Sequence, residues 1–205
     1  MNKNNIPDIV VSRLPIYLQK LNQFLREGRE VVSSQEMADH LGVTATQIRK
    51  DLSNFGGFGK QGSGYNVISL ISKLEDILNL KKIWKVVVIG AGNLGQALVH
   101  YQGFSRRGFE VELIFDNDPN LIGKEIAGIK IEDIADLEEM IKERGLQIAV
   151  LTVPAGSAQA LTDRLTACGI KAILNYAPIT LVAGDETQIS NIDPVLKLQK
   201  MAYYL

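Results

Sequence analysis

Six residues in the middle of this chain, Gly90-Ala91-Gly92-Asn93-Leu94-Gly95, have the types and spacing that let a backbone hold a pyrophosphate. In a G-x-G-x-x-G loop the glycines permit a tight turn, close approach to the phosphates and close helix packing. The following helix presents its positive dipole end. Asp116 ends the next apolar run, 111–115, about 20 residues past Gly95, the spacing at which a carboxylate accepts from ribose hydroxyls. Asp118 follows two residues on, and the acidic pair would repel a 2′-phosphate. NADH and NAD+ are therefore the expected cofactors rather than their phosphorylated forms. Arg106 and Arg107 argue the reverse, but they close the preceding helix, where cations suit the dipole.

A second set lies about forty residues earlier. Thr44, Thr46, Gln47, Arg49, Lys50 and Ser53 fall on the outward face and flanks of a helical stretch whose inward face is Ile48, Leu52 and Phe55. Short hydroxyls and an amide reach base edges, and cations reach phosphate or guanine. A plain surface helix would show the same pattern. The segment that follows, 55–67, interleaves five glycines with Phe55, Phe58 and Tyr65. A linker explains the glycines but not the aromatics. A wing after a recognition helix explains both, with Tyr65 in the hairpin and Lys60 free to enter a minor groove.

Positioning these residues takes two domains. Val10, Leu14, Tyr17, Leu18, Leu21, Phe24 and Leu25 predict one amphipathic helix ending near Gly28. Ser33 with Glu36 starts a second that stops near Gly42, and Thr44 with Gln47 starts the third in the same relation. A helix over 67–80 leads through Lys81-Lys82 to an alternating α/β pattern. Its strands are expected at 86–89, 111–115, 148–153 and 170–174, and its helices at 94–107, 131–144 and 155–167. The expected fold class is α/β, with a winged-helix domain over 1–80 and a Rossmann-type, doubly wound parallel sheet over 84–191. Thr152-Val153-Pro154 and Asn175-Tyr176 sit at strand ends, on the rim where such sheets bind ligands. Residues 192–205 form a third segment. Asp193-Pro194 starts a helix that is apolar on more than one side. Exchange of this helix across a homodimer axis would bury it; packing on its own sheet is the alternative.

Composition narrows the classes. Of 205 residues, 46% are apolar and 22% charged, as in a globular protein with a sizeable core. The net charge of −1 conceals an asymmetry: up to Lys85 there are 12 Lys and Arg against 8 Asp and Glu, and after it 10 against 15. A basic front half suits a polyanion. The start carries no secretory signal and no run reaches a membrane span, so a cytoplasmic protein is expected. Cys168, His40 and His100 are too few for a disulfide framework or a Cys/His zinc site. Catalytic machinery is also missing. His100 reads as a structural helix residue, and Tyr101 is a single phenol near where a nicotinamide would lie.

The residues quoted above, together with Ser12-Arg13-Leu14, Gly62-Ser63-Gly64-Tyr65, His100-Tyr101-Gln102-Gly103-Phe104 and Ile173-Leu174-Asn175-Tyr176-Ala177-Pro178, resemble the Rex family of redox-sensing repressors along essentially the whole chain. The resemblance implies a homodimer that binds an inverted-repeat operator when NADH is scarce and leaves it when NADH rises. It also implies a switch in which Arg13 pairs with Asp193 in the DNA-bound form and Tyr101 takes over that aspartate when NADH is bound. Asp193 also reads as a helix cap, which competes with that role. Two other readings stay open: a small NAD-dependent oxidoreductase with an accessory helix-turn-helix, and a constitutive DNA-binding protein whose Rossmann domain is vestigial.

Overall fold

The computed structural model describes residues 6–57 and 64–205, which divide into two compact units, Met1–Lys82 and Ile83–Leu205. The first begins with two helices, α1 (Asp8–Val11) and α2 (Leu14–Arg26), where the apolar spacing predicts one. Pro15 explains the break: it has no N–H to return to the Val11 carbonyl, and its ring disfavours a continuous helix through Ser12-Arg13. Leu14, Tyr17, Leu21 and Phe24 still share one buried face. Strand β1 (Val31–Val32) precedes α3 (Ser34–Ala38), whose capping box is made in full between Ser33 and Glu36. Helix α4 (Ala45–Ser53) starts at Thr44, whose hydroxyl accepts from the backbone N–H of Gln47. Strand β2 (Tyr65–Asn66) pairs antiparallel with β1, and α5 (Val67–Ile77) is capped by Asn66. Lys60 and the tip of the expected wing, 58–63, lie outside the described residues.

The second unit is a seven-stranded sheet in the order β5-β6-β4-β3-β7-β8-β9. Its strands are β3 (Trp84–Ile89), β4 (Phe109–Asp116), β5 (Glu125–Ile126), β6 (Ile129–Asp133), β7 (Ile148–Leu151), β8 (Ala172–Asn175) and β9 (Gln188–Asn191). Every pairing is parallel except β5 with β6. Side chains alternate across the central strand. Val87 and Ile89 join Leu113, Phe115, Leu137 and Leu165 on one face, while Val86 and Val88 join Ile114, Ile131 and Val150 on the other. A strand covered on both faces reads as a continuous apolar run, as β3 does.

Several sequence expectations are corrected here. The helix after the glycine loop, α6 (Asn93–Val99), ends well before residue 107. The chain turns at 100–104 and then forms a single 3-10 turn, Ser105–Arg107. Ile131 belongs to β6 and not to a helix, because Ala127 and Gly128 adopt positive φ and fold 125–133 into a tight hairpin. The helix expected there, α7, is confined to Leu137–Arg144. Strand β8 begins at Ala172 rather than 170, and β9, unforeseen, adds an edge. Helix α8 (Ala155–Ala167) falls where expected. Helix α9 (Pro194–Ala202) is capped by Asp193 and has no buried residue; Leu196 and Leu198 are each 61% exposed. Among the described residues no helix is long and apolar enough to cross a membrane.

Candidate functional site

The sheet order reverses at β3: β4 lies on one side of it and β7 on the other, which is the crevice position for ligands in open α/β sheets. A cleft of about 520 Å3 opens there, lined by Gly90, Gly92, Asp116, Thr152, Val153 and Pro154 among others. The three glycines have three separate reasons. Gly90 has φ +101°, and a Cβ there would meet the Thr152 carbonyl oxygen at 2.7 Å. A Cβ on Gly95 would lie 1.9 Å from the Gly90 oxygen, so the helix can pack on the loop only without a side chain. Gly92 faces open space, leaving its backbone approachable.

Hydrogen bonds hold this loop in shape. Asp116 Oδ2 accepts from the Ala91 N–H at 2.6 Å, and its Oδ1 accepts from Asn117 and Asp118 at 2.7 and 2.9 Å. The Thr152 hydroxyl lies 3.0 and 2.9 Å from the carbonyls of Ile89 and Gly90, and Gln96 donates to the Ala91 carbonyl at 2.9 Å. Ala91 is thus buried behind the loop, while Asn93 and Leu94 are exposed in the first turn of α6. Asn175 lines no part of the cleft. It is fully buried, its amide nitrogen faces Ala177, Ile179 and Asn191, and its oxygen accepts from the Ala177 N–H. Its side chain is spent on the turn after β8.

Tyr101 is half exposed, edge-on to Phe104 at 5.8 Å, and its ring occupies the space that a side chain on residue 103 would need. Burial pushes the Tyr176 phenol up, and so does neighbouring Tyr101, so the two tyrosines share one locality. Sequence reasoning missed the far wall of the cleft, formed by Leu121, Ile134, Ser157, Ala160, Leu161 and Arg164. Residues 157, 160, 161 and 164 make one stripe of α8 at helical spacing, a signal that becomes readable once the cleft's side of the sheet is known. Arg164 is clamped by Glu138 at 2.5 and 2.8 Å.

In the first unit α4 separates as its spacing predicts. Ile48 and Leu52 are buried, while Thr44, Thr46, Arg49, Lys50 and Ser53 are exposed. Arg49 is aimed by two hydroxyls, donating to Ser34 at 2.7 Å and Thr46 at 3.0 Å. Tyr65 on β2 is near enough to Arg49 to feel its charge, which partly offsets the upward push of burial on its phenol. The unanticipated feature is Asp51, 1% exposed in the middle of this core. Arg13 grips it through Nε and Nη2 at 2.6 and 2.7 Å, and Tyr17 donates at 2.6 Å. Its place three residues after Ile48, on the apolar stripe, was the available signal.

Comparison with known proteins supports both units. Residues 5–53 match the family model described as putative DNA-binding protein N-terminus, and residues 81–179 match the model described as CoA binding domain. A redox-sensing transcriptional repressor Rex from Roseiflexus sp. (strain RS-1) is 49% identical over 97% of this chain and 90% of its own. The solved structure of RSP, a Rex-family repressor, in complex with β-NAD+ and operator DNA is 41% identical, covers 97% of this chain and 92% of that one, and superposes with a TM-score of 0.92. RSP in complex with β-NADH gives 38% identity, 98% and 94% coverage, and a TM-score of 0.89. Identity at that level along nearly the whole length, of this chain and of its relatives alike, means that the chain belongs to the Rex family of redox-sensing transcriptional repressors.

Proposed function

We propose that this chain is an NADH-responsive transcriptional repressor that binds operator DNA as a homodimer and is released when NADH rises relative to NAD+. The observation that carries it is the coexistence, in one chain, of an outward-facing α4 and a glycine-loop cleft with its aspartate in place. RSP in complex with β-NAD+ and operator DNA, and separately with β-NADH, supports the same pairing of ligands.

The cleft residues fit a dinucleotide. The Gly92 backbone stands open to phosphate, and Asp116, with three bonds accepted, keeps lone-pair capacity for a ribose hydroxyl. Asp116 and Asp118 together disfavour a phosphate on that ribose, whether the 2′-phosphate of NADPH or the 3′-phosphate of coenzyme A. Tyr101 and Tyr176 lie outside the lining of the cleft but close to each other, and they are the phenols available to the nicotinamide end. The switch enlists atoms outside the bonds already made. Arg13 keeps Nη1 free of Asp51, and Asp193 caps α9 through Oδ1, accepting from the Val195 N–H at 2.8 Å, with no bond to Oδ2 among the described residues. Pairing of Arg13 with Asp193 in the DNA-bound state, and of Tyr101 with Asp193 in the NADH state, uses those atoms. Helix α9, nine residues long and unburied, needs a second copy to cover it. The oxidoreductase reading loses ground because the relatives matched over nearly the whole chain are repressors.

The test is a gel shift on the duplex that the protein itself selects from a pool with a randomised core. NADH alone should dissolve the complex while NAD+ leaves it. Equal response to both, or to neither, would overturn the reading.

A further inference from the structure

Gln47 and Asp51 lie one helical turn apart on α4, and the first side chain is bonded to the second. The Asp51 carboxylate accepts from Gln47 Nε2 at 2.6 Å, in addition to two bonds from Arg13 and one from Tyr17. Four donors fill the roughly four lone-pair directions of a carboxylate. Three of them come from Arg13, just before α2, and Tyr17 within it, and hold the group ionised. An ionised carboxylate only accepts, so the amide of Gln47 has to turn its NH2 inward and its oxygen away. The usual ambiguity between the nitrogen and oxygen of a glutamine is removed here by chemistry. No hydrogen bond among the described residues engages Oε1, and Gln47 is half-buried beside the exposed Arg49 and Lys50.

We infer that Asp51 is a positioning residue for base readout, fixing the Gln47 amide so that it selects adenine in the major groove. This rests on the reading of α4 as the DNA-contacting helix. The fixed amide offers one acceptor, Oε1, beside one remaining N–H. Adenine is the base whose major-groove edge supplies the matching pair, a donor at N6 and an acceptor at N7; guanine shows two acceptors, cytosine a donor and thymine an acceptor. Arg13 and Tyr17 enter the same readout indirectly, by holding Asp51 in place. A glutamine without that anchor would rotate freely and lose part of its discrimination to conformational entropy.

The experiment selects duplexes from a randomised pool with the parent protein, with Gln47→Ala and with Asp51→Asn. The sites chosen by the parent should share an adenine in each half-site that the Gln47→Ala sites lack. At that position, replacing adenine by 2-aminopurine, which removes the N6 amine, or by 7-deazaadenine, which removes N7, should weaken the parent roughly 5- to 150-fold. The Gln47→Ala protein should treat all three bases within about twofold. Folded Asp51→Asn should show the same flattening of base preference while still binding DNA. A Gln47→Ala protein that selects the same bases as the parent would overturn the inference and leave the repressor reading standing. A folded Asp51→Asn protein with undiminished adenine preference would overturn the role of Asp51. A parent that selects no sequence would sink the DNA-reading assignment itself. If Asp51→Asn does not fold, Arg13→Lys, which breaks the two-point grip on the carboxylate, takes its place, and an undiminished adenine preference in that protein would overturn the role of Asp51.

Discussion

Two aspartates do unlike work with the same chemistry. Asp51 is buried and feels an upward push on its pKa from burial, but the bonds from Arg13, Tyr17 and Gln47 outweigh it and leave the carboxyl below its ordinary range. A lowered folded value means that the stabilisation is fully present above the ordinary aspartate pKa of about 4 and is lost as the pH falls through the folded value. Acid unfolding followed by amide exchange in α2 and α4 should therefore begin below about pH 4 in the parent, with that component missing in Asp51→Ala. At neutral pH the same substitution should destabilise the first unit by about 3–5 kcal/mol, because it strands the Arg13 guanidinium. A loss below about 1 kcal/mol in denaturant titration would show the pair to be dispensable. Asp116, by contrast, stands at the edge of a cleft with acceptor capacity left over. Asp116→Ala should weaken NADH binding, and the parent should bind NADPH far more weakly than NADH in calorimetry. Equal affinities would remove the acidic pair from cofactor choice.

Among the elements, α4 has the most direct consequences for DNA. Lys50 is an exposed cation with no side-chain partner among the described residues, whereas Arg49 is aimed by Ser34 and Thr46. Alanine at either position should weaken operator binding and leave NADH binding intact. A phosphate contact would reduce the salt slope by about one, and a base contact would cost roughly 1–3 kcal/mol at one operator position. Unchanged affinity in both variants would take α4 out of the interface. This helix was legible because its signals are local: Thr44 caps it, and Ile48 and Leu52 mark its buried side. The glycine loop and α8 were legible for the same reason. Elements fixed by distant partners were not. Val31 and Val32 form a strand only because Tyr65 and Asn66 return to pair with them, and Gln188–Asn191 only because β8 offers an edge. Ile131 has neighbours that fit a helix as well as a strand, and the turn at Ala127-Gly128 decided between them. Asp51 escaped notice as a polar residue on an apolar stripe, since its partner Arg13 is 38 positions away.

At the scale of the whole molecule, a sensor differs from two domains that merely share a chain by the free energy that links its ligands. If NADH favours a dimer arrangement unsuited to the operator, DNA has to weaken NADH binding by the same factor by which NADH weakens DNA binding. Typical couplings are about 1–3 kcal/mol, or 5- to 150-fold. Arg13 has a double place in such a linkage, since it anchors Asp51 beneath α4 and is also the proposed partner of Asp193. The most direct measurement is the NADH dissociation constant of the full chain, alone and saturated with its selected duplex, set against the duplex affinity with and without saturating NADH. The repressor account predicts that both ratios exceed about fivefold and agree with each other, with NAD+ giving a much smaller effect. Ratios of one, with both ligands bound at once and independently, would contradict it.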